Sequence, residues 1–520
     1  MKKTLSKEKW FLLAIVLLFT VASVIALFQK ANLHVDEVYT YGLSNHPYDG
    51  NYTMSPEEGK VYSPAEEAWD EYMQVQPGHQ FDYANVWKNQ SEDVHPPLYY
   101  TLIHTVCSFF PQQYSIWFAG SINIAFGALT VVVVYFLMLL LSKSKKSSLL
   151  TAAFFALSAG TLSAVTFLRM YIVAMFWVAL FTYLVVKAYQ GWKSKLFYLF
   201  IFLVAVAGTL THYYFLIYLL FLCLGYGIWL LVKKQFSLFV KFFLTMCLSG
   251  GAALAAFPSM LQQILAGNRG TEAFDNLQNV TFGQYLQQLG IFLNFFNQQI
   301  FGGLLPLVLL FFLVAVCLRK KRKQPVSQRT GVFLLALSSV AYYLLVSKIA
   351  AYAYDRYIFP IYPVVSVLGC YLLFYGIKTL LPKVRKTAVA AGAMTVITIL
   401  TFVFCPWEYL YQNSKPLLEF AKTKTETPCL YIYDASWMAQ QSFYEGRNYS
   451  SVVFIQQNNL GALDYLELDT SSNLVLCLMD SCNQEAVFEK LRSLYPSEIT
   501  IEAKGQYFFT TTYEIVPQKK

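Results

Sequence analysis

The sequence predicts an all-α polytopic membrane protein of about eleven spans, with a large first outer loop carrying surface helices and a small α/β domain behind the last span. Three observations carry this. Apolar runs long enough to cross a bilayer, about 17–25 residues each, recur over the first four-fifths of the chain. Only 13% of the 520 residues are charged, where a soluble domain carries about a quarter. Behind Cys405-Pro406 the texture changes to short β-rich runs alternating with polar, helix-compatible stretches.

The first apolar run, 11–28, follows MKKTLSKEK. It exceeds the apolar core of about 7–15 residues in a signal peptide, and no small-x-small cleavage site follows, so it reads as a retained span. The expected spans are 10–28, 116–141, 148–167, 171–187, 196–211, 213–232, 237–257, 298–318, 331–347, 357–377 and 387–405. The N-terminus and the connectors at 143–146, 187–195, 233–241, 319–329 and 378–386 together hold 23 of the 39 Lys+Arg and one of the 30 acids. With this set of spans all six fall on one side, which the positive-inside rule makes cytoplasmic. The net charge of +9 therefore reflects topology and requires no nucleic-acid partner.

The apolar segment 98–110 is about 13 residues long, too short to span. Counting it would place the 143–146 cluster outside. It reads as a surface helix entered through Pro96-Pro97. The first outer loop, about 30–115, is otherwise acidic and Tyr-rich, a mobile or partly helical stretch. Residues 1–405 form the transmembrane domain and 406–520 an outer domain. In the latter, 429–433, 451–455, 474–479 and 506–512 look like strands and 483–494 like a helix. The nine cysteines form no CxxC pair, and most lie in or near apolar runs as core thiols. Cys477 and Cys482 are candidates for a disulfide on an oxidising side. Four Asn-x-Ser/Thr sequons (Asn51, Asn89, Asn279, Asn448) fall in outer segments.

No Asp or Glu occurs between Asp93 and Glu272, and only Asp275 and Asp355 between there and Glu408. A charge at membrane depth costs several kcal/mol, so each acid near the boundary is a functional hypothesis. Asp36 and Glu37 stand side by side behind the first span, flanked by His34 and Tyr39. They either cap a helix or divide roles, one activating an acceptor hydroxyl while the other orients it or helps hold a divalent ion. Asp93 and His95 precede the two prolines, which restrict how they are presented. Arg169 sits where one apolar run ends and the next begins. It either snorkels or holds an anion, and its fork suits phosphate. Lys348, Arg269 and Arg356 stand near other outer ends, with His212-Tyr213 at a further turn. Asp355-Arg356-Tyr357 is either an internal ion pair or a ligand-binding arginine with its orienting acid. Acids from one loop and bases from several helix ends, all on the outer face, suit a hydroxyl acceptor and a lipid-anchored phosphate donor.

HVDE at 34–37, DVHPPLYY at 93–100, LRMY at 168–171, THYY at 211–214 and DRYIFPIYP at 355–363 resemble, in this order, the GT-C class of membrane glycosyltransferases. The likeness is to the RgtA/B/C/D-like group, relatives of the protein O-mannosyltransferases and the aminoarabinose transferases, and covers about 10–405. It implies a polyprenyl-phosphate sugar donor, an outer-face acceptor (a lipid, wall polymer, glycan or protein) and an inverting single displacement in a bacterial cell membrane. By motif, Asp36 looks like the base and Glu37 its neighbour in acceptor or metal positioning. Asp93 and His95 look like partners at the same site. Arg169, Arg356 and Lys348 look like candidates for the donor phosphate, with Tyr171, His212, Tyr213 and Tyr357 lining. Asp36, Glu37 and Asp93 are the oxygen ligands available to Mg²⁺ or Mn²⁺, although members of the class differ in metal dependence. The rival readings are a transporter or flippase of lipid-linked saccharides, and a scaffold whose outer domain does the work.

Overall fold

The computed structural model describes residues 7–48, 53–192, 194–321 and 330–518. The sequon at Asn51, most of the basic connector 319–329 and residues 1–6 lie outside the described residues. The chain forms two compact units. One comprises Met1–Phe28, Asp93–Tyr99 and Gly120–Trp407, the other Gln29–Glu92, Tyr100–Ala119 and Glu408–Lys520.

The first unit is a helical membrane bundle. Among the described residues, eight helices are long and apolar enough to cross a membrane: Lys7–Phe28, Ile116–Ser142, Tyr171–Tyr189, Tyr214–Val232, Phe236–Ala256, Gly331–Ile349, Phe359–Leu380 and Lys386–Phe404. A bent pair makes a ninth if counted as one span. Tyr171–Tyr189 and Phe359–Leu380 are enclosed over most of their length, whereas Lys7–Phe28 and Lys386–Phe404 leave most of their apolar surface open. Close approach uses small residues. A Cβ on Gly127 would come within 2.4 Å of the Phe19 ring.

Three expected spans differ from what forms. The run at 148–167 is broken into Lys145–Leu157 and Ala159–Thr166, bent by 48°. The cause is Ser158, whose hydroxyl donates to the Phe155 carbonyl and caps the Thr161 N–H, while the Ala159 N–H donates to Thr401 Oγ1 at 3.0 Å. A side chain inserted into the ladder bends a helix in this way. The run at 298–318 starts only at Leu305, because Phe282–Gln299 is a separate helix. Gly302 and Gly303 both take positive φ, +55° and +81°, a conformation suited to glycine. The Leu305 N–H is then capped by Asn297 Oδ1 at 3.0 Å. The run at 196–211 forms Lys195–Thr209, which is short of spanning length.

The second unit is an α/β fold on a six-stranded sheet. Its strands are β1 (Val61–Tyr62), β2 (Cys429–Tyr433), β3 (Val452–Gln456), β4 (Leu474–Met479), β5 (Ile499–Tyr507) and β6 (Thr510–Pro517), in the order β1-β3-β2-β4-β6-β5. β2 runs parallel to both β3 and β4, and the remaining pairings are antiparallel. β2 and β4 read as continuous apolar runs because every residue in them is buried. The sheet takes β1 from the loop at 30–115. That loop also supplies Trp69, fully buried against Phe454 at 5.6 Å between ring centroids. Its helices are Val35–Asn45, Glu67–Met73 and Tyr83–Glu92. The segment expected to be a surface helix forms Leu98–Ser108.

The stretch 506–512, expected to be one strand, straddles the β5–β6 turn at Phe508-Phe509. The helix expected at 483–494 forms as Gln484–Leu494. Cys477 and Cys482 are not bonded to each other. Cys477 Sγ lies 3.7 Å from Cys429 Sγ, and Cys482 Sγ faces the Ile432 carbonyl.

Candidate active site

In the second unit the Val35–Asn45 helix opens with a capping box built on histidine. His34 Nδ1 accepts the Asp36 N–H at 3.0 Å, and Glu37 Oε2 accepts the His34 N–H at 2.8 Å. The sequence shows this cap only faintly, since serine or threonine ordinarily fills the first position. The two adjacent acids then part company. Glu37 is fully buried, with Oε1 2.9 Å from Lys30 Nζ. Lys30 Nζ also donates to the Tyr409 carbonyl at 2.7 Å and lies 4.4 Å above the Tyr411 ring. Burial pulls the Lys30 pKa below its ordinary value, and Glu37 opposes that pull. Asp36 stays partly open, its side chain 28% exposed and its Oδ2 3.6 Å from His34 Nδ1. A ring nitrogen that accepts the Asp36 amide proton cannot donate to the Asp36 carboxylate at the same time. His34 therefore acts as a cap rather than a proton donor to Asp36. Tyr39 follows one turn on, on the same helix face as Asp36.

In the first unit a second polar group forms around Arg169. Asp93 Oδ2 lies 3.1 Å from His95 Nδ1, and Arg169 Nη2 approaches His95 Nε2 at 3.4 Å. Arginine can only donate, so the imidazole proton belongs on Nδ1, facing Asp93. Burial opposes ionisation of Asp93, yet His95 and Arg169 together hold its carboxyl below the usual range. Gln263 Nε2 donates to the Asp93 carbonyl at 2.7 Å, and Tyr213 Oη donates to Gln263 Oε1. His212 lies 6.1 Å from the His95 ring and 5.1 Å from Tyr171. Burial, then the electrostatic influence of His95, Arg169 and Arg356, keep His212 well below its ordinary pKa. The Arg356 guanidinium sits over Tyr354 at 4.8 Å and over Phe167 and Tyr357 at 5.7 Å each. Asp355 Oδ2 accepts from Gln299 Nε2 at 2.6 Å, and Tyr362 Oη donates to Gln299 Oε1 at 2.8 Å.

This unit thus gathers Asp93, His95, Arg169, Tyr171, His212, Tyr213, Arg356 and Tyr357 into one run of contacts. None of the contacts described for Lys348 joins it to that group. Its Nζ donates to the Val280 carbonyl at 2.6 Å and lies near the Tyr285 ring. Arg269 pairs with Glu272 at 2.7 Å. Metal ligation by Glu37 does not fit, because both of its oxygens are engaged by Lys30 and the His34 amide. Among the described residues no group of three or more His, Cys, Asp or Glu side chains is arranged to hold a metal ion.

Two residues absent from the sequence reading support these clusters. Asn123, fully buried inside an apolar span, donates to the Val165 and Phe167 carbonyls at 3.0 and 2.9 Å and accepts from Tyr99 Oη at 2.9 Å. It holds the turn that presents Arg169. The one amide side chain in a mostly apolar 27-residue helix was the available signal. Lys30 was signalled by being a cation directly behind the first apolar run and a few residues before the two acids.

The chain matches ArnT from Cupriavidus metallidurans in the apo state with a TM-score of 0.55 and 10% identity, over 98% of each chain. The complex of that ArnT with undecaprenyl phosphate matches with 0.53 and 11%, again over 98% of each. The chain shares its fold with this ArnT. AglB from Archaeoglobus fulgidus, an archaeal oligosaccharyltransferase crystallised with dolichol phosphate and an inhibitory peptide, matches at a TM-score of only 0.45, with 11% identity, over 90% of this chain and 69% of its own. No protein-family model matches the chain, and no curated protein is similar to it in sequence. The expectation of a GT-C architecture thus holds at the level of fold.

Proposed function

We propose that the protein is an integral-membrane glycosyltransferase of the RgtA/B/C/D-like kind, transferring a sugar from a polyprenyl-phosphate donor to a hydroxyl acceptor on the outer face of a bacterial membrane. The observation that carries this is the pairing of Arg169 and Arg356 with aromatic rings and His95 at the ends of apolar helices, in a fold shared with an ArnT that binds undecaprenyl phosphate.

In the proposed reaction Asp36 takes the acceptor proton as the acceptor oxygen bonds to the anomeric carbon. The bond from that carbon to the phosphate oxygen breaks on the opposite side, inverting the configuration. The electron pair leaves with the polyprenyl phosphate, whose charge Arg169 and Arg356 stabilise. The phosphate is a good leaving group and needs little protonation. Asp93 orients His95, and His95 orients Arg169. Glu37 and Lys30 act on Asp36 only by holding the start of its helix.

Membranes carrying the protein, supplied with labelled polyprenyl-phosphate sugar, are expected to label an acceptor. Asp36→Asn should abolish transfer at unchanged expression, and Arg169→Ala should abolish donor binding. Label that crosses the bilayer without transfer would identify a flippase instead. Full transfer by Asp36→Asn would rule Asp36 out as the base.

A further inference from the structure

The sheet of the second unit has a switch point. The chain leaves β2 for β3 on one side, then crosses to β4 on the other. In sheets of this kind ligands bind outside the carboxyl ends of the strands, where the order reverses. At that end stand Asp434 and Trp437 behind β2, and Asp480 behind β4. The β5–β6 turn joins them, since Met479 pairs with Thr510 and the Asp480 N–H donates to the Phe509 carbonyl at 2.8 Å.

That turn breaks a local rule. Two-residue hairpin turns favour Asn-Gly or Gly-X, yet here they are Phe508 and Phe509, with Phe508 at φ +50°. A left-handed conformation is costly for a residue with a side chain, and such outliers mark functional contacts. The rings form a track. Phe508 stands edge-on to His34 at 4.8 Å, Phe509 follows at 6.5 Å, and Trp437 lies 6.3 Å beyond. Phe509 is 48% exposed. At the near end of the track, His34 caps the helix of Asp36. Beside it the exposed Asp480 holds Gln506 Nε2 at 2.6 Å and Thr511 Oγ1 at 2.9 Å.

We propose that this end of the sheet binds the acceptor, and that the acceptor is a neutral or amino-sugar glycan chain. The proposal rests on Asp36 being the base. Flat aromatic rings offer an apolar face to the C–H face of a pyranose, and carboxylate and amide groups beside them take its hydroxyls. Asp434 and Asp480, which stand at this rim, are negative, which disfavours polyanionic polymers and anionic headgroups. An exposed carboxylate beside the tip also argues against insertion into a bilayer.

The test uses full-length protein in nanodiscs on an array of neutral, amino and anionic oligosaccharides, with undecaprenyl phosphate binding measured separately. Binding is expected on the neutral and amino oligosaccharides, weakened about tenfold or more in Phe509→Ala and Trp437→Ala and kept in Phe509→Tyr. Undecaprenyl phosphate binding should be unchanged in all three. Absence of oligosaccharide binding, binding confined to anionic glycans, or binding equal in the alanine variants overturns the proposal. Ring-dependent glycan binding by a protein that transfers no sugar would instead overturn the function of Asp36 and leave the surface standing.

Discussion

Lys30 Nζ and Glu37 Oε1 lie 2.9 Å apart, both enclosed, in an ion pair that holds residue 30 against the helix of Asp36. The pair explains why two acids stand together there. One is held inside so that the other is presented.

Breaking such a pair leaves one buried charge uncompensated, which costs about 3–5 kcal/mol, whereas replacing both partners by residues of similar volume is often close to neutral. Lys30→Met and Glu37→Gln are therefore each expected to lower thermal stability by several degrees, and the double variant to recover most of the loss. Thermal unfolding in detergent followed by intrinsic fluorescence reads this. Equal losses in all three would mean the pair contributes only through packing.

Asp36→Asn should behave differently from Glu37→Gln. Removing a general base costs about 10²–10⁴ in rate, and a part-exposed Asp36 contributes little to the fold. Turnover should collapse with an unchanged melting temperature and an unchanged Kd for the donor. Glu37→Gln should lose stability and rate together, because it acts through the cap it forms with His34.

The eight long spans were legible because their signal is composition over about 20 residues. Two of the three runs that differ do so through local features. Ser158 bends a helix through its hydroxyl, and Gly302-Gly303 delay one through backbone freedom, neither of which changes mean hydropathy. In the second unit β2 and β4 were legible as unbroken apolar runs, while the β5–β6 turn was hidden by two phenylalanines where a turn signal belongs. Asp36, Asp93, His95 and Arg169 stood out as rare titratable groups in an apolar chain. The division of labour between Asp36 and Glu37 did not. It depends on Lys30 and on Tyr409 and Tyr411, nearly 400 positions along the chain.

Asn123 offers a test of how Arg169 is presented. Asn123→Leu removes the hydrogen bonds that Asn123 makes to the Val165 and Phe167 carbonyls and to Tyr99 Oη, each worth about 0.5–1.5 kcal/mol. The variant should melt earlier and also bind undecaprenyl phosphate at least tenfold more weakly, as read by scintillation proximity. Asn123→Ala with the same melting loss but full donor affinity would separate the network from Arg169.

The Asp93–His95–Arg169 group predicts a pH signature. The Asp93 carboxyl is held below its ordinary value because His95 and Arg169 outweigh its burial. An acid whose pKa is lower folded than unfolded adds stability above its unfolded value, near 3.9 for aspartate. That stability is lost as pH falls through the lower folded value. Asp93→Asn removes it at every pH. The melting temperature of the wild type should therefore exceed that of Asp93→Asn by a constant margin from pH 7 down to about 5, and the margin should shrink only below about 4. A margin that closes between pH 5 and 7 would mean that burial governs Asp93, and that His95 takes its orientation from elsewhere.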